Sequence, residues 1–209
     1  MTAVNFATHS EQTSENMTRI VILDGNPAKG SFCGALAGEY AREAAGRGHE
    51  VRTRHLSDMS FDPDYGTSDF DKGPKLEPDL LAFWDDVTWC EHIVIVHPLW
   101  WGGHPAKLKG LFDRVLLSGK AFRYVKGKAL PEKLLTGRTA QVLVTADTPG
   151  WIFNWIYGAG IRKQTEKQIL AFCGFKPKGY HVFSPLHGSK EADRNKMLSR
   201  AAGLGKKAA

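Results

Sequence analysis

Residues 92–115 read HIVIVHPLWWGGHPAKLKGLFDRV, and the order of chemical types in this stretch restricts the fold more than any other. Ile93 to Val96 is too short for a helix and apolar at every position, as a strand must be when helices cover both its faces. Pro98 has no N–H to give to a ladder, so the strand stops there. Pro105 suits the first position of a helix. From it Leu108, Leu111, Phe112, Val115 and Leu116 recur at helical spacing and predict one buried face. A buried parallel strand feeding a helix through a loop is the unit of an open α/β sheet, which takes ligands outside the carboxyl ends of its strands. The loop here carries Trp100 and Trp101, planar and apolar, followed by Gly102 and Gly103, which let backbone approach a ligand. The plain alternative is that both tryptophans are core or interface residues.

The same alternation runs through the rest of the chain. Arg19 to Leu23 predicts a first strand, followed by DGNPAKGSF and a helix with Phe32, Leu36, Tyr40 and Ala44 on one face, ended by Gly46 and Gly48. Glu50 to Arg54 predicts a second strand, and Leu56 to Asp79, rich in turn formers and aperiodic, a long surface loop. Pro78 to Trp89 is a helix entering the Ile93 strand. Ala140 to Thr145 is a fourth strand, Ile161 to Cys173 a helix, Tyr180 to Phe183 a fifth strand and Glu191 to Leu204 a closing helix. Right-handed crossovers leave few arrangements of five such strands, and a doubly wound parallel sheet of order 2-1-3-4-5 is the natural one. The expectation is a single domain over residues 19–205 behind a disordered extension, residues 1–18.

Composition bounds the class. The chain has 209 residues, 42% hydrophobic, enough for one full core. Its net charge of +6 raises the question of a polyanion, and basic residues do gather from Lys120 to Arg138. That segment holds no nucleic-acid motif, so it reads as a solvated loop able to attract an anionic nucleotide rather than as a nucleic-acid site. The three cysteines, Cys33, Cys90 and Cys173, lack metal or disulfide spacing and read as reduced, buried thiols, which points to the cytoplasm. No apolar stretch approaches the ~20 residues of a membrane span, and residues 1–18 lack the apolar centre of a signal peptide.

Two further loops follow strands at the same sheet edge. The first, with Gly25, Pro27, Gly30 and Ser31 opening onto a helix, presents backbone N–H groups and a hydroxyl at the positive end of the helix dipole, where an anion fits. Helix capping alone also explains it. The second, TADTPGWIFNWIYGAGIRKQ, is dense in aromatics at Trp151, Phe153, Trp155 and Tyr157. A lid over a ligand, a dimer interface and simple core compete as readings, and an exposed cluster favours the first two.

Together PLWWGGHPAKLKGLFDRV, GNPAKGSF and FCGF at Phe172–Phe175 resemble the NAD(P)H:quinone oxidoreductase family of flavodoxin-like flavoproteins, which includes bacterial drug-activity modulators and ancillary proteins of potassium-efflux antiporters. The match spans Arg19 to Arg194. The resemblance implies a flavodoxin-like fold with Asn26, Lys29, Ser31, Phe32 and Cys33 at the flavin phosphates. It sets Pro98, Leu99, Trp100, Trp101 and Gly102 along the isoalloxazine, and Thr145, Ala146 and Asp147 at the pyrimidine edge. Similar proteins that take FAD have an acidic residue after the tryptophan loop and an arginine near the C-terminus. Asp113 and Arg194 stand there, which favours FAD over FMN. An i,i+4 pair with Lys109, worth about 0.3–0.5 kcal/mol, is the competing account of Asp113. Arg194 shares a helical stripe with Met197, Leu198 and Ala201 and is expected to point inward.

The chain also departs from that pattern. Asn26 stands where a histidine is common, and no histidine lies between Gln141 and Tyr180, where similar proteins have one beside the flavin. Tyr157, Asp147 and the backbone N–H groups of Thr145–Asp147 are the remaining candidates for handling charge on the reduced ring. The implied activity is two-electron, ping-pong transfer from NAD(P)H to a quinone or other small aromatic acceptor by a homodimer. A flavin-binding regulatory module of a membrane transporter and a one-electron, flavodoxin-type carrier are the alternatives.

Overall fold

A computed structural model describes residues 17–67, 74–156 and 158–208. In chain order the elements are β1 (Arg19–Asp24), α1 (Phe32–Gly46), β2 (Glu50–His55), α2 (Pro78–Trp89), β3 (His92–Pro98) and α3 (Ala106–Val115). There follow β4 (Phe122–Arg123), β5 (Glu132–Lys133), β6 (Thr139–Thr145), α4 (Gly160–Lys163), α5 (Ala171–Cys173), β7 (Lys176–Phe183) and α6 (Glu191–Gly205). The main sheet is parallel in the order β2-β1-β3-β6-β7, the 2-1-3-4-5 arrangement, so the chain is a flavodoxin-like α/β fold.

The period of two in the strands divides the core between the two faces of the sheet. Val21, Leu23, Ile93, Ile95, Val142 and Val144 pack under α2 and α3, with Leu80, Phe83, Leu108 and Leu111. Ile20, Ile22, Val94, Val96 and Leu143 pack under α1 and α6, with Leu36, Tyr40 and Ala201. Every residue of β3 is buried, as its apolar run requires, and β2 at the edge carries charged side chains to water.

Several expectations change in detail. Pro105 is the cap before α3 (φ −51°, ψ 140°) rather than its first helical residue. The basic stretch from Lys120 to Arg138 is not only loop: β4 and β5 pair as a short antiparallel ribbon. The helix expected from Ile161 to Cys173 is wound as π-helix over Gln164–Leu170 between α4 and α5. The segment after β2 is tied down rather than simply surface. Leu56 and Met59 enter the core, and the fully buried Arg114 guanidinium donates to Glu77 Oε2 (2.6 Å), Lys75 O (3.2 Å) and Asp62 O. Gly110 leaves the room for Pro63 there, since a Cβ would stand 2.4 Å from the proline Cβ. Of the expected disordered extension, residues 1–16 lie outside the described residues, while Thr18 is anchored through its N–H to His49 Nδ1 at 3.2 Å.

Candidate active site

Three loops leave the carboxyl ends of β1, β3 and β6 and converge where the strand order reverses. The first is wound by its own side chains. Asp24 Oδ1 accepts from Asn26 N (3.1 Å) and Asn26 Oδ1 from Ala28 N (2.9 Å), consecutive Asx turns that carry the backbone to Ser31. Ser31, extended at φ −76°, caps α1 by accepting from Gly34 N at 3.2 Å. Asp24 Oδ2 lies 3.1 Å from His55 Nδ1, and burial raises the Asp24 pKa against the pull of that histidine. Lys29 departs from its expected place: it is exposed and pairs with Asp58 at 2.9 Å, because a flexible ammonium meets a carboxylate there.

The second loop is a two-residue turn. Trp100 and Gly103 exchange both backbone hydrogen bonds (3.1 and 2.9 Å), and the residues between them have positive φ, 51° at Trp101 and 74° at Gly102. That is the geometry in which glycine and asparagine are at ease and a tryptophan is strained. The turn presents Trp100 half to solvent, 46% exposed, and Trp101 entirely, at 105%. Leu99 N donates to Thr145 O at 2.8 Å and fixes the loop to the end of β6.

The third loop turns at Thr145–Asp147 against the chain that follows β7. Ala146 N donates to Phe183 O (3.1 Å), Leu186 N to Ala146 O (3.0 Å) and His187 N to Asp147 Oδ1 (2.7 Å). The Ala146 N–H is therefore committed within the protein and is not the donor to ring charge that the sequence suggested. Thr145 Oγ1 lies 3.2 Å from the Sγ of Cys33, whose thiol is pushed by burial up to about 11 and stays protonated.

Between these loops lies a crevice of about 190 Å³. Asn26, Phe32 and Cys33 line it from the first loop, Pro98, Leu99 and Trp100 from the second, Thr145, Ala146 and Asp147 from the third. Leu186, which no local pattern marked, completes the wall because the chain after β7 folds back over β6. Trp101 and Gly102 stand outside that lining.

Asp113 and Arg194 do not meet. Asp113 takes the Lys109 ammonium on both oxygens (2.6 and 2.7 Å), the i,i+4 pair, and lies along a separate groove of about 1140 Å³ lined by Phe112, Phe122, Tyr124 and Phe172. Arg194 is exposed rather than inward-pointing and donates from Nε to Ser189 Oγ at 3.0 Å, since its turn of α6 projects beyond the buried Ala201 end. The helices α3 and α6 cover opposite faces of the sheet, so one chain does not close both residues on one ligand.

The aromatic segment after β6 divides. Phe153 is buried and stacks on Tyr180 (6.2 Å, 13°), whereas Trp151 and Trp155 are 62% and 86% exposed. Tyr157 lies outside the described residues.

The chain belongs to the flavodoxin-like fold family, whose model matches residues 18–204. An uncharacterized NAD(P)H oxidoreductase of Haemophilus influenzae is 26% identical over 192 residues, covering 89% of this chain and 93% of that one. Mouse ribosyldihydronicotinamide dehydrogenase [quinone] is 26% identical over 209 residues, covering 87% of each chain. Among solved structures, Smu.1420 from Streptococcus mutans superposes with a TM-score of 0.77 at 26% identity, covering 90% of this chain and 99% of that one.

Proposed function

We propose that the protein is a flavin-dependent NAD(P)H:quinone oxidoreductase. The observation that carries this reading is the convergence of a capped helix N-terminus, a planar apolar wall at Trp100 and the polar Thr145–Asp147 turn on one crevice. These groups fit a flavin. Asn26, Ser31, Phe32 and Cys33 would hold its phosphate end, Pro98 to Trp100 its ring, and Thr145 and Asp147 its polar edge. When bound, the flavin would supply the capacity to take hydride from a reduced nicotinamide and pass two electrons to a quinone or other small aromatic acceptor. The protein's part is to orient that ring, to exclude water with its indoles and to offer Asp147 as an acceptor for a ring N–H. Tyr157 is the proposed proton-handling hydroxyl. The curated relatives named above carry the same class of activity in their names.

A crevice of 190 Å³ is smaller than the ~300–1,000 Å³ of a complete ligand pocket. Trp101, Trp151 and Trp155, exposed near it in sequence, are suited to a wall supplied by a second copy. We therefore read the protein as a homodimer with a shared site, for which a monomer with full activity in micromolar sedimentation would be contrary. FAD is the proposed cofactor, its adenylate gripped by Arg194 and by Asp113 of a second copy. FMN is the second reading, favoured by the separation of those two residues within one chain. No helix among the described residues is long and apolar enough to cross a membrane, and the three cysteines are free and buried, in keeping with a cytoplasmic location. The direct test is steady-state oxidation of NADH and NADPH with a quinone. Parallel reciprocal plots support ping-pong transfer, and the absence of turnover with either nicotinamide in flavin-loaded protein overturns the reading.

A further inference from the structure

The loop assigned to the flavin ring is held from beneath by groups that play no part in the reading above. His97, wholly buried at the end of β3 on the face shared by Ile93 and Ile95, lies with its ring 4.7 Å from that of His104, which follows the Trp100–Gly103 turn. His97 Nδ1 is 2.9 Å from Pro98 O; a carbonyl only accepts, so Nδ1 carries the hydrogen and the buried Nε2, which has no partner, is bare. His104 Nε2 is 2.9 Å from Thr165 Oγ1, whose one hydrogen goes to Ile161 O at 2.7 Å, so His104 is the donor. Phe112 of α3 meets the His104 ring edge-on at 5.6 Å, and the charged group facing it from α3 is Lys109, itself held by Asp113. Burial lowers His97 to about 4 and His104 to about 3, which leaves each imidazole neutral with a single hydrogen, used as described.

We propose that His97, His104 and Thr165 are positioning residues, a bracket that locks the ring-binding loop Pro98–Gly103 to the helical stretch following the aromatic segment. Each end of the bracket meets unusual backbone. At one end Trp101 sits at φ 51°, a conformation that persists only when its surroundings over-determine it. At the other, Thr165 lies in the π-wound turn Gln164–Leu170, a rare winding found most often at functional sites. The hydrogen bond from His104 to Thr165 joins the two, with the His97 ring packed against His104, so the Trp100 wall and the exposed Trp151 and Trp155 are set relative to one another. The inference rests on the flavin reading only for its consequence on binding.

The test compares wild type, Thr165→Val, His104→Leu and His104→Gln, the last retaining an N–H where His104 Nε2 stands. Hydrogen exchange of the Trp100 and Gly103 amides is followed in flavin-free protein, and FMN and FAD dissociation constants by flavin fluorescence. Thr165→Val and His104→Leu are expected to speed that exchange and to weaken both flavins by about tenfold, the effect of one buried hydrogen bond, while His104→Gln stays near wild type. Unchanged exchange in folded Thr165→Val, or a lowered melting temperature with flavin affinity intact, overturns the bracket. Wild type that takes up neither flavin overturns the functional reading instead, and the exchange comparison still decides the bracket.

Discussion

The Sγ of Cys33 and the Oγ1 of Thr145 lie 3.2 Å apart, joining the first turn of α1 to the end of β6. This contact sets the floor of the crevice, and the burial that comes with it removes Cys33 from thiol chemistry. Burial pushes Cys33, Cys90 and Cys173 each up to about 11. At about pH 8 a native sample should therefore react with a thiol reagent far more slowly than a urea-unfolded one, in which all three thiols respond. Rapid labelling of Cys33 in native protein would show that the floor opens.

Trp101 and Trp84 separate site from scaffold. Trp101→Asn places a residue suited to positive φ in the turn and leaves stability unchanged or raised by about 1 kcal/mol. If the exposed indole walls a shared site, the same change lowers activity and flavin retention. Trp84, partly buried against the α2 core with the Lys120 ammonium 5.7 Å from its ring, should do the reverse on truncation to alanine, at up to about 3 kcal/mol in urea unfolding. Equal effects of both substitutions on stability, with flavin content per folded molecule unchanged, would make Trp101 plain surface.

Acid should destabilise the fold before the carboxylates titrate. Burial holds His92 and His97 down to about 4 and His104 to about 3, against about 6.5 in an unfolded chain. Below that value the unfolded chain takes up protons that the folded chain refuses. The stability is thus fully present above about pH 6.5 and is lost as pH falls toward 4, by about 1 kcal/mol per histidine at pH 5.5. Urea midpoints between about pH 7.5 and 5.5 measure it, and a flat profile would mean that these rings protonate in place.

Much of this architecture was legible from residue order. The β3 run, the Pro98 stop and the five-strand alternation translate directly into buried parallel strands and their reversal point, because period and proline chemistry are local. The crevice lining was named by the family resemblance rather than by periodicity, and the structure brings Asn26, Phe32, Cys33, Trp100 and Asp147 to it. What escaped was decided by partners that no periodicity or motif names. Lys29 met Asp58 across two loops, Arg194 found Ser189, and the Ala146 N–H was taken by Phe183 O. His97 and His104 carried a signal, two histidines flanking the tryptophan turn, but the hydroxyl that gives them a role comes from Thr165, 61 residues beyond His104.

The flavin's size can be settled with one arginine. Arg194→Ala removes a donor that FMN does not require, so FAD affinity should fall by about one to two decades while FMN affinity holds. Asp113→Asn should act in the same direction and less strongly, since an amide keeps one acceptor and Lys109 already occupies the carboxylate. Equal losses for both flavins would mean that Arg194 serves α6 alone and would leave FMN as the cofactor.

Flavin-dependent oxidation of nicotinamide is tested most directly by an anaerobic titration of purified protein with FAD and FMN, followed by addition of NADH or NADPH and recorded by visible absorption. Saturable uptake of one flavin per chain and bleaching of the bound flavin by nicotinamide, with colour restored by a quinone, are expected. Colourless protein that ignores both flavins, or bound flavin that neither nicotinamide bleaches, would contradict it.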